Sequence, residues 1–182
     1  MEFIQTNIPE VVLITPQVYE DSRGFFMETY QSRKFTEAGI AIDFVQDNHS
    51  RSMQYTLRGL HYQIRHAQGK LVRVIVGEIF DLVVDIRRSS STFGKWVGAT
   101  LSAKSKQQLW VPPGFAHGFY VLSEWAEVLY KATDFYDQPS ERCIRWDDPT
   151  INVTWPFPPG VVPILSQKDQ AGKLLIESEL YK

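Results

Sequence analysis

The chain has 182 residues, 43% of them hydrophobic and 22% charged, with a formal net charge of -2. That length suits one domain with a substantial core. The near-neutral balance excludes a global basic field for nucleic acid, so an anionic ligand must be held by local cations. The start, Met1–Thr6, lacks the basic region and long apolar run of a signal peptide. No apolar run approaches the ~20 residues that cross a bilayer. Cys143 is the only cysteine, which rules out an intrachain disulfide and favours a reducing compartment. The expected address is cytoplasmic, with no membrane partner.

In chain order, Val11–Ile14 and Gly24–Tyr30 read as short extended segments divided by the turn Glu20–Gly24. Ser32 is placed to cap a short helix through Ala38, which Gly39 would stop. Phe44–Asn48 reads as a strand. The clearest β signal is Lys70–Val76, rich in β-branched residues, then a Gly77-Glu78 turn and a return over Ile79–Ile86. Side chains alternate along that return, so Asp81, Val83 and Asp85 share a face. Two carboxylates there need partners or solvent. Further strands are expected at Trp96–Leu101, Gln108–Val111, Gly118–Val121, Glu127–Thr133 and Cys143–Trp146. Trp155–Gly160 is too rich in proline for a central strand and should wrap the surface. Ser166–Leu180 reads as a short helical or irregular tail packed by Leu174, Leu175 and Ile176. Many short strands, few helices and no internal repeat predict one all-β domain over residues 1–182, a sandwich or closed barrel.

Two segments carry the chemistry: Arg58-Gly-Leu-His61-Tyr-Gln63 and Trp110-Val-Pro-Pro-Gly-Phe-Ala-His117-Gly118. Each sets a histidine among aromatic and apolar residues beside glycine. His61 is either a buried histidine satisfied by one hydrogen bond or a base. An unperturbed imidazole, with a pKa of ~6.5, is mostly neutral at physiological pH and accepts a proton there. Arg58 and Lys70, close in sequence, would help keep it neutral and would bind an anion or a developing enolate. A catalytic histidine needs a carboxylate to fix its tautomer, and Asp81, Asp85 and Asp169 are the candidates. Asp169 also completes Ser166-x-x-Asp169, a helix capping box. Tyr130 is either strand packing or a general acid. Pro112-x-Gly-x-x-His117 resembles the second motif of the cupin β-barrels, many of which bind a metal. His61-Tyr-Gln63 supplies one ligand where metal-binding cupins supply two, and zinc and iron sites want three or four. No metal is expected. Cys143, beside Arg142 and Ile144 in an expected strand, reads as an inert thiol.

Nearly end to end, the chain resembles the dTDP-4-dehydrorhamnose 3,5-epimerase family. The likeness runs through Asp21–Glu28, Phe44–Ser50, Leu57–Gln63, Gln68–Val72, Trp110–Phe119, Tyr130-Lys131 and Leu165–Asp169. It implies a cupin-like jelly-roll β-barrel with a few short helices. It also implies a homodimer that exchanges N-terminal strands, with the C-terminal tail packed on the barrel. The implied reaction inverts C3 and C5 of dTDP-4-dehydro-6-deoxy-glucose without metal or organic cofactor. A single-site epimerase on a related dTDP-4-keto-sugar is the alternative. By matching position, the resemblance makes His61 the base, Asp169 its dyad partner, Tyr130 the acid on the opposite face, and Lys70 the cation at the C4 oxygen. It puts Gln46, Asp47, Asn48, Arg58, His117, Glu141 and Lys168 at substrate-contact positions. Arg23 and Glu28 join them, in a segment such dimers lend to the neighbouring subunit. Asp81 is implied to orient His117.

Overall fold

A computed structural model describes residues 1–182. Thirteen strands run β1 (Glu2–Gln5), β2 (Val12–Thr15), β3 (Val18–Asp21), β4 (Gly24–Met27), β5 (Gln46–Met53), β6 (Leu57–Gln63), β7 (Lys70–Val76), β8 (Glu78–Asp85), β9 (Trp96–Ser102), β10 (Gln108–Val111), β11 (Phe115–Val121), β12 (Trp125–Ala132) and β13 (Glu141–Cys143). Helices α1 (Ser32–Glu37) and α2 (Gln167–Gln170) are short. The strands form a six-stranded sheet, β1-β2-β10-β7-β12-β5, and a five-stranded sheet, β13-β6-β11-β8-β9, while β3 and β4 pair as a separate hairpin. This is the cupin-like jelly roll expected from the sequence.

Period-two alternation builds the core. Val72 and Val74 of one sheet meet Val83, Phe119 and Val121 of the other in the main apolar cluster. The alternate residues Leu82, Val84, Ala116 and Tyr62 turn outward, where Ile144, Ile151 and Leu175 cover them. On the other outer face, Leu71 and Trp110 are capped by Phe35 of α1. Each of these large side chains contributes ~1.5–3 kcal/mol by leaving water. No helix is long and apolar enough to cross a membrane.

Several local expectations are corrected. Gln31, not Ser32, caps α1, its side chain accepting from Lys34 N–H; its longer side chain reaches that amide from one residue earlier. Gly39, at φ +85°, lies just past the helix, as expected of a stop. β5 runs on to Met53, because β12 supplies a partner along its whole length. β11 begins at Phe115, so His117 is itself a strand residue. β13 ends at Cys143, and Ile144 instead bridges Lys173. In the tail Leu175 is buried, but Ile176 is 81% exposed and packs nothing. Trp155–Gly160 forms no strand; Phe157 sets its ring against Tyr120.

Candidate active site

The five-stranded sheet lines up one row of residues across its inner face. Cys143 pairs with His61 in register, His61 with His117, and His117 with Val83. Opposed residues in antiparallel strands share a face, so both histidines point between the sheets. The close approach of β6 and β11 requires glycine. A Cβ on Gly59, at φ +133°, would sit 2.5 Å from Gly118 Cα. The Gly59–Leu60 peptide, next to the histidine, is cis.

His61 Nε2 bonds Asp169 Oδ1 at 2.6 Å. An ionised carboxylate only accepts, so Nε2 is the donor and the lone pair of the neutral ring lies on Nδ1. Asp169, 3% exposed, is saturated with donors. Gly59 N–H reaches Oδ1 at 3.2 Å, and Ser166 Oγ donates to Oδ2 at 2.6 Å. Burial pushes this carboxyl up, but the hydrogen bonds from His61, Ser166 and Gly59 outweigh it and hold the pKa at about 2. The capping box of α2 is also complete, so Asp169 fills both roles the sequence left open. For His61 the chief influence is burial, which lowers its pKa; Asp169 works against this, and the charges of Lys168 and Lys70 add to it. Arg58, expected to help, acts elsewhere: its Nε donates to Ser52 Oγ at 2.9 Å and its charge is felt at Tyr130.

The other two candidate carboxylates are excluded as partners of His61. Asp81, fully buried, bonds His117 Nε2 at 2.8 Å through Oδ1, and its Oδ2 has no partner. Asp85 binds Arg87 Nη2 at 2.7 Å and the hydroxyls of Ser90 and Thr92 at 2.6 Å each, fixing the turn after β8.

Lys70 opens β7 in the facing sheet. Its ammonium makes no hydrogen bond or ion pair within the chain. Burial brings its pKa down to about 8, although Asp81 and Glu141 pull the other way. Tyr130 opposes Val72 in register and packs against the inter-sheet core. Burial raises its pKa, so it keeps its proton at neutral pH. Lys168 Nζ holds Glu141 Oε1 at 2.7 Å, and the charges of both reach Tyr130. Lys168 also acts on His61, so its charge is felt both at His61 on β6 and at Tyr130 on β12. Burial pushes Glu141 up, but the hydrogen bond from Lys168 leads the influences that bring it below the usual value.

Not every expected contact residue converges here. Gln46 and Asn48 lie on the face of β5 that Tyr130 and Ala132 share, joined by a 3.0 Å hydrogen bond. Asp47, on the alternate face, pairs with Lys131 at 2.9 Å. It borders a hollow of about 380 Å³ that Asn48 and Tyr130 also line, with Leu71, Arg73 and Leu129. Arg23 pairs with Asp21 and Glu28 with Lys34, away from His61 and Lys70, on the β3–β4 hairpin and the turn into α1. Sequence reasoning missed Tyr136, whose hydroxyl donates to Glu141 Oε2 at 3.1 Å. It follows β12 in a polar connection, where no periodicity marks it.

Cys143 completes a trio with His61 and Asp169 whose donor atoms lie within 4.8 Å of one another. A metal there would have to break the His61–Asp169 hydrogen bond. It would also have to deprotonate a thiol that burial pushes up to about 12, in keeping with the inert thiol expected.

Comparison with known proteins comes to the same chemistry. Residues 5–177 match the family model described as dTDP-4-dehydrorhamnose 3,5-epimerase. The chain is 55% identical over 182 residues to the dTDP-4-dehydrorhamnose 3,5-epimerase of Pseudomonas aeruginosa, covering 100% of this chain and 99% of that protein. It is 53% identical to that of Shigella flexneri, over 100% of this chain and 99% of the other. Among solved structures, dTDP-6-deoxy-D-glucose-3,5-epimerase from Legionella pneumophila, in complex with dTDP-4-keto-L-rhamnose, superposes with a TM-score of 0.96. It shares 50% identity and covers 100% of this chain and 97% of its own.

Proposed function

The chain belongs to the dTDP-4-dehydrorhamnose 3,5-epimerase family, and from that premise we propose how its residues divide the reaction. The enzyme is an isomerase that inverts C3 and C5 of dTDP-4-dehydro-6-deoxy-glucose to give dTDP-4-dehydro-L-rhamnose. Both carbons flank the C4 ketone, which acidifies their hydrogens. His61 Nδ1 takes the proton, and the C–H electron pair moves into a carbon–carbon double bond, leaving charge on the C4 oxygen. The Lys70 ammonium, with its donors free, stabilises that enolate; a fixed donor of this kind is typically worth ~3–4 kcal/mol. Inversion needs a proton from the other face, since a base returning its own proton regenerates substrate. Tyr130, on the opposite sheet and protonated, supplies it. Asp169 holds the His61 tautomer and stabilises the imidazolium.

The observation that carries this reading is the His61–Asp169 pair, its carboxylate buried and its ring half-buried, with a lysine lacking a partner on the facing sheet. Arg58, Lys168, Gln46, Asn48, His117 and Glu141 are proposed substrate contacts, with Asp81 orienting His117. Asp47, Arg23 and Glu28 are proposed to reach substrate at the rim, the last two from a second subunit of a homodimer. The reaction needs no metal or organic cofactor, because the ketone and Lys70 carry the electrophilic role; activity is expected to survive EDTA. With its single cysteine, the enzyme is assigned to the cytoplasm.

The test is incubation with dTDP-4-dehydro-6-deoxy-glucose in D2O, followed by NMR. His61→Ala is expected to abolish deuterium uptake at C3 and C5, a loss of about 10²–10⁴-fold for a general base. Retained uptake would exclude it. Tyr130→Phe is expected to impair inversion more than exchange, and equal loss of both would remove the separate acid.

A further inference from the structure

Gln63 lies two residues beyond His61 on the same strand, 4% exposed, and none of its side-chain hydrogen bonds goes to another side chain. Its Oε1 accepts from Asp137 N–H at 2.8 Å. Its Nε2 donates to His66 C=O at 2.7 Å and Phe135 C=O at 3.2 Å. One donor faces the oxygen and two carbonyls face the nitrogen, so a flipped amide would set like against like. The bonds join β6 to the Phe135–Asp137 connection that follows β12, a link between the two sheets.

That connection carries Tyr136, which is 53% exposed. Two other glutamines grip the same connection. Gln46 Oε1 accepts from Tyr136 N–H at 3.0 Å, and Gln68 Nε2 donates to Asp134 C=O at 2.8 Å. Gln63 differs from them in standing on the strand of the base. In register it faces Glu141, the residue that Tyr136 and Lys168 both bind. A tyrosine on a half-exposed connection would otherwise sample many positions and take with it Glu141, whose charge reaches the acid Tyr130; a misplacement of ~1 Å at a reacting centre can cost ~10²-fold.

Resting on the base-and-acid reading above, we propose that Gln63 is a positioning residue. It fixes the Tyr136–Glu141–Lys168 group relative to His61, so that protonation of the enolate stays matched to proton removal. Gln63 touches no substrate in this role; it acts through Tyr136.

The experiment compares Gln63→Glu and Gln63→Met with the parent enzyme, using dTDP-4-dehydro-6-deoxy-glucose in D2O. Gln63→Glu keeps the acceptor for Asp137 N–H and, protonated between the two carbonyls, keeps one of the two donors, so it covers the case in which Gln63→Met folds poorly. Deuterium uptake is expected to stay within about threefold of the parent, while inversions per exchange event fall about tenfold. Adding Tyr136→Phe to either variant should lower that ratio no further. Uptake and inversion falling in step would overturn the proposal, since a merely structural role moves both together. An unchanged ratio, or losses that add with Tyr136→Phe, would overturn it as well. Failure of the underlying reading is read separately: uptake retained in His61→Ala refutes the base whatever Gln63 does.

Discussion

In the proposed reaction His61 and Lys70 work in opposite protonation states, and burial lowers the pKa of both. His61 must be neutral to accept a proton, and burial first of all lowers its pKa from the ordinary 6.5. Lys70 must be charged, and burial brings it to about 8. The kcat/KM of the free enzyme is therefore expected to rise with pH through an acidic limb below 6.5 and to fall through an alkaline limb near 8. Lys70→Arg should carry the alkaline limb upward, because a guanidinium keeps its proton; a limb that stays in place would assign it to another group. The same shift bears on stability. Between about 8 and 10.5 the unfolded chain binds more protons at Lys70 than the native one, so stability rises with pH across that window. Below it the buried ammonium costs about 3 kcal/mol. Lys70→Met is thus expected to raise Tm at neutral pH while lowering kcat, and thermal unfolding beside an activity assay checks both. The residue types and their motifs were legible in sequence. The dominance of burial over neighbouring charge was not, because a pKa depends on solvent access.

Helix α2 is only four residues long, yet it delivers the dyad carboxylate. Its capping box makes this precise: Ser166 and Asp169 satisfy one another's backbone N–H groups, and the remaining carboxylate capacity goes to His61 and Gly59. Ser166→Ala is expected to cost ~1 kcal/mol, the usual worth of a cap. It also removes one of the bonds holding Asp169 at about 2. The stability Asp169 contributes is present above 3.8 and lost as pH falls through about 2. In the variant the contribution should be smaller and its loss complete at a higher pH, because the folded-state value rises toward 3.8; acid unfolding reads this, with kcat reduced at neutral pH. On the strands, Gly118→Ala would drive a Cβ to 2.7 Å from Arg58 O, so misfolding or loss of activity is expected and circular dichroism distinguishes them. Sequence patterning found β7 and β8 through their β-branched residues but gave no such signal for β6. Leu57–Gln63 contains no valine, isoleucine or threonine; it is a strand because β11 and β13 pair with it.

As a whole the molecule buries its inter-sheet core and parts of both outer faces within one chain but leaves the β3–β4 hairpin standing apart. Tyr19, Phe25 and Phe26 on it are 63%, 59% and 70% exposed. Large apolar side chains gathered on one exposed element mark an interaction surface, and the proposed homodimer would cover it. Phe26→Asp is expected to shift the protein to monomer in light scattering and to raise KM, since the partner's rim residues leave with the interface. A variant that remains dimeric would place the interface elsewhere. Whole-molecule legibility was uneven in a similar way. The jelly roll could be expected from strand number and motif, whereas the order of the strands in each sheet could not.

Local patterning and composition determined an all-β fold, the capping box of α2, the glycine-flanked histidines and the short list of groups able to move a proton. Spacing left three carboxylates open for His61, and the family resemblance implied Asp169; tertiary structure decided it, 108 positions away, sent Asp81 to His117 and Asp85 to Arg87, and brought Tyr136 to Glu141. Spacing reports neighbours along a strand or helix, within a few residues. Contacts between distant segments depend on strand register and sheet packing, which the whole hydrophobic core sets together.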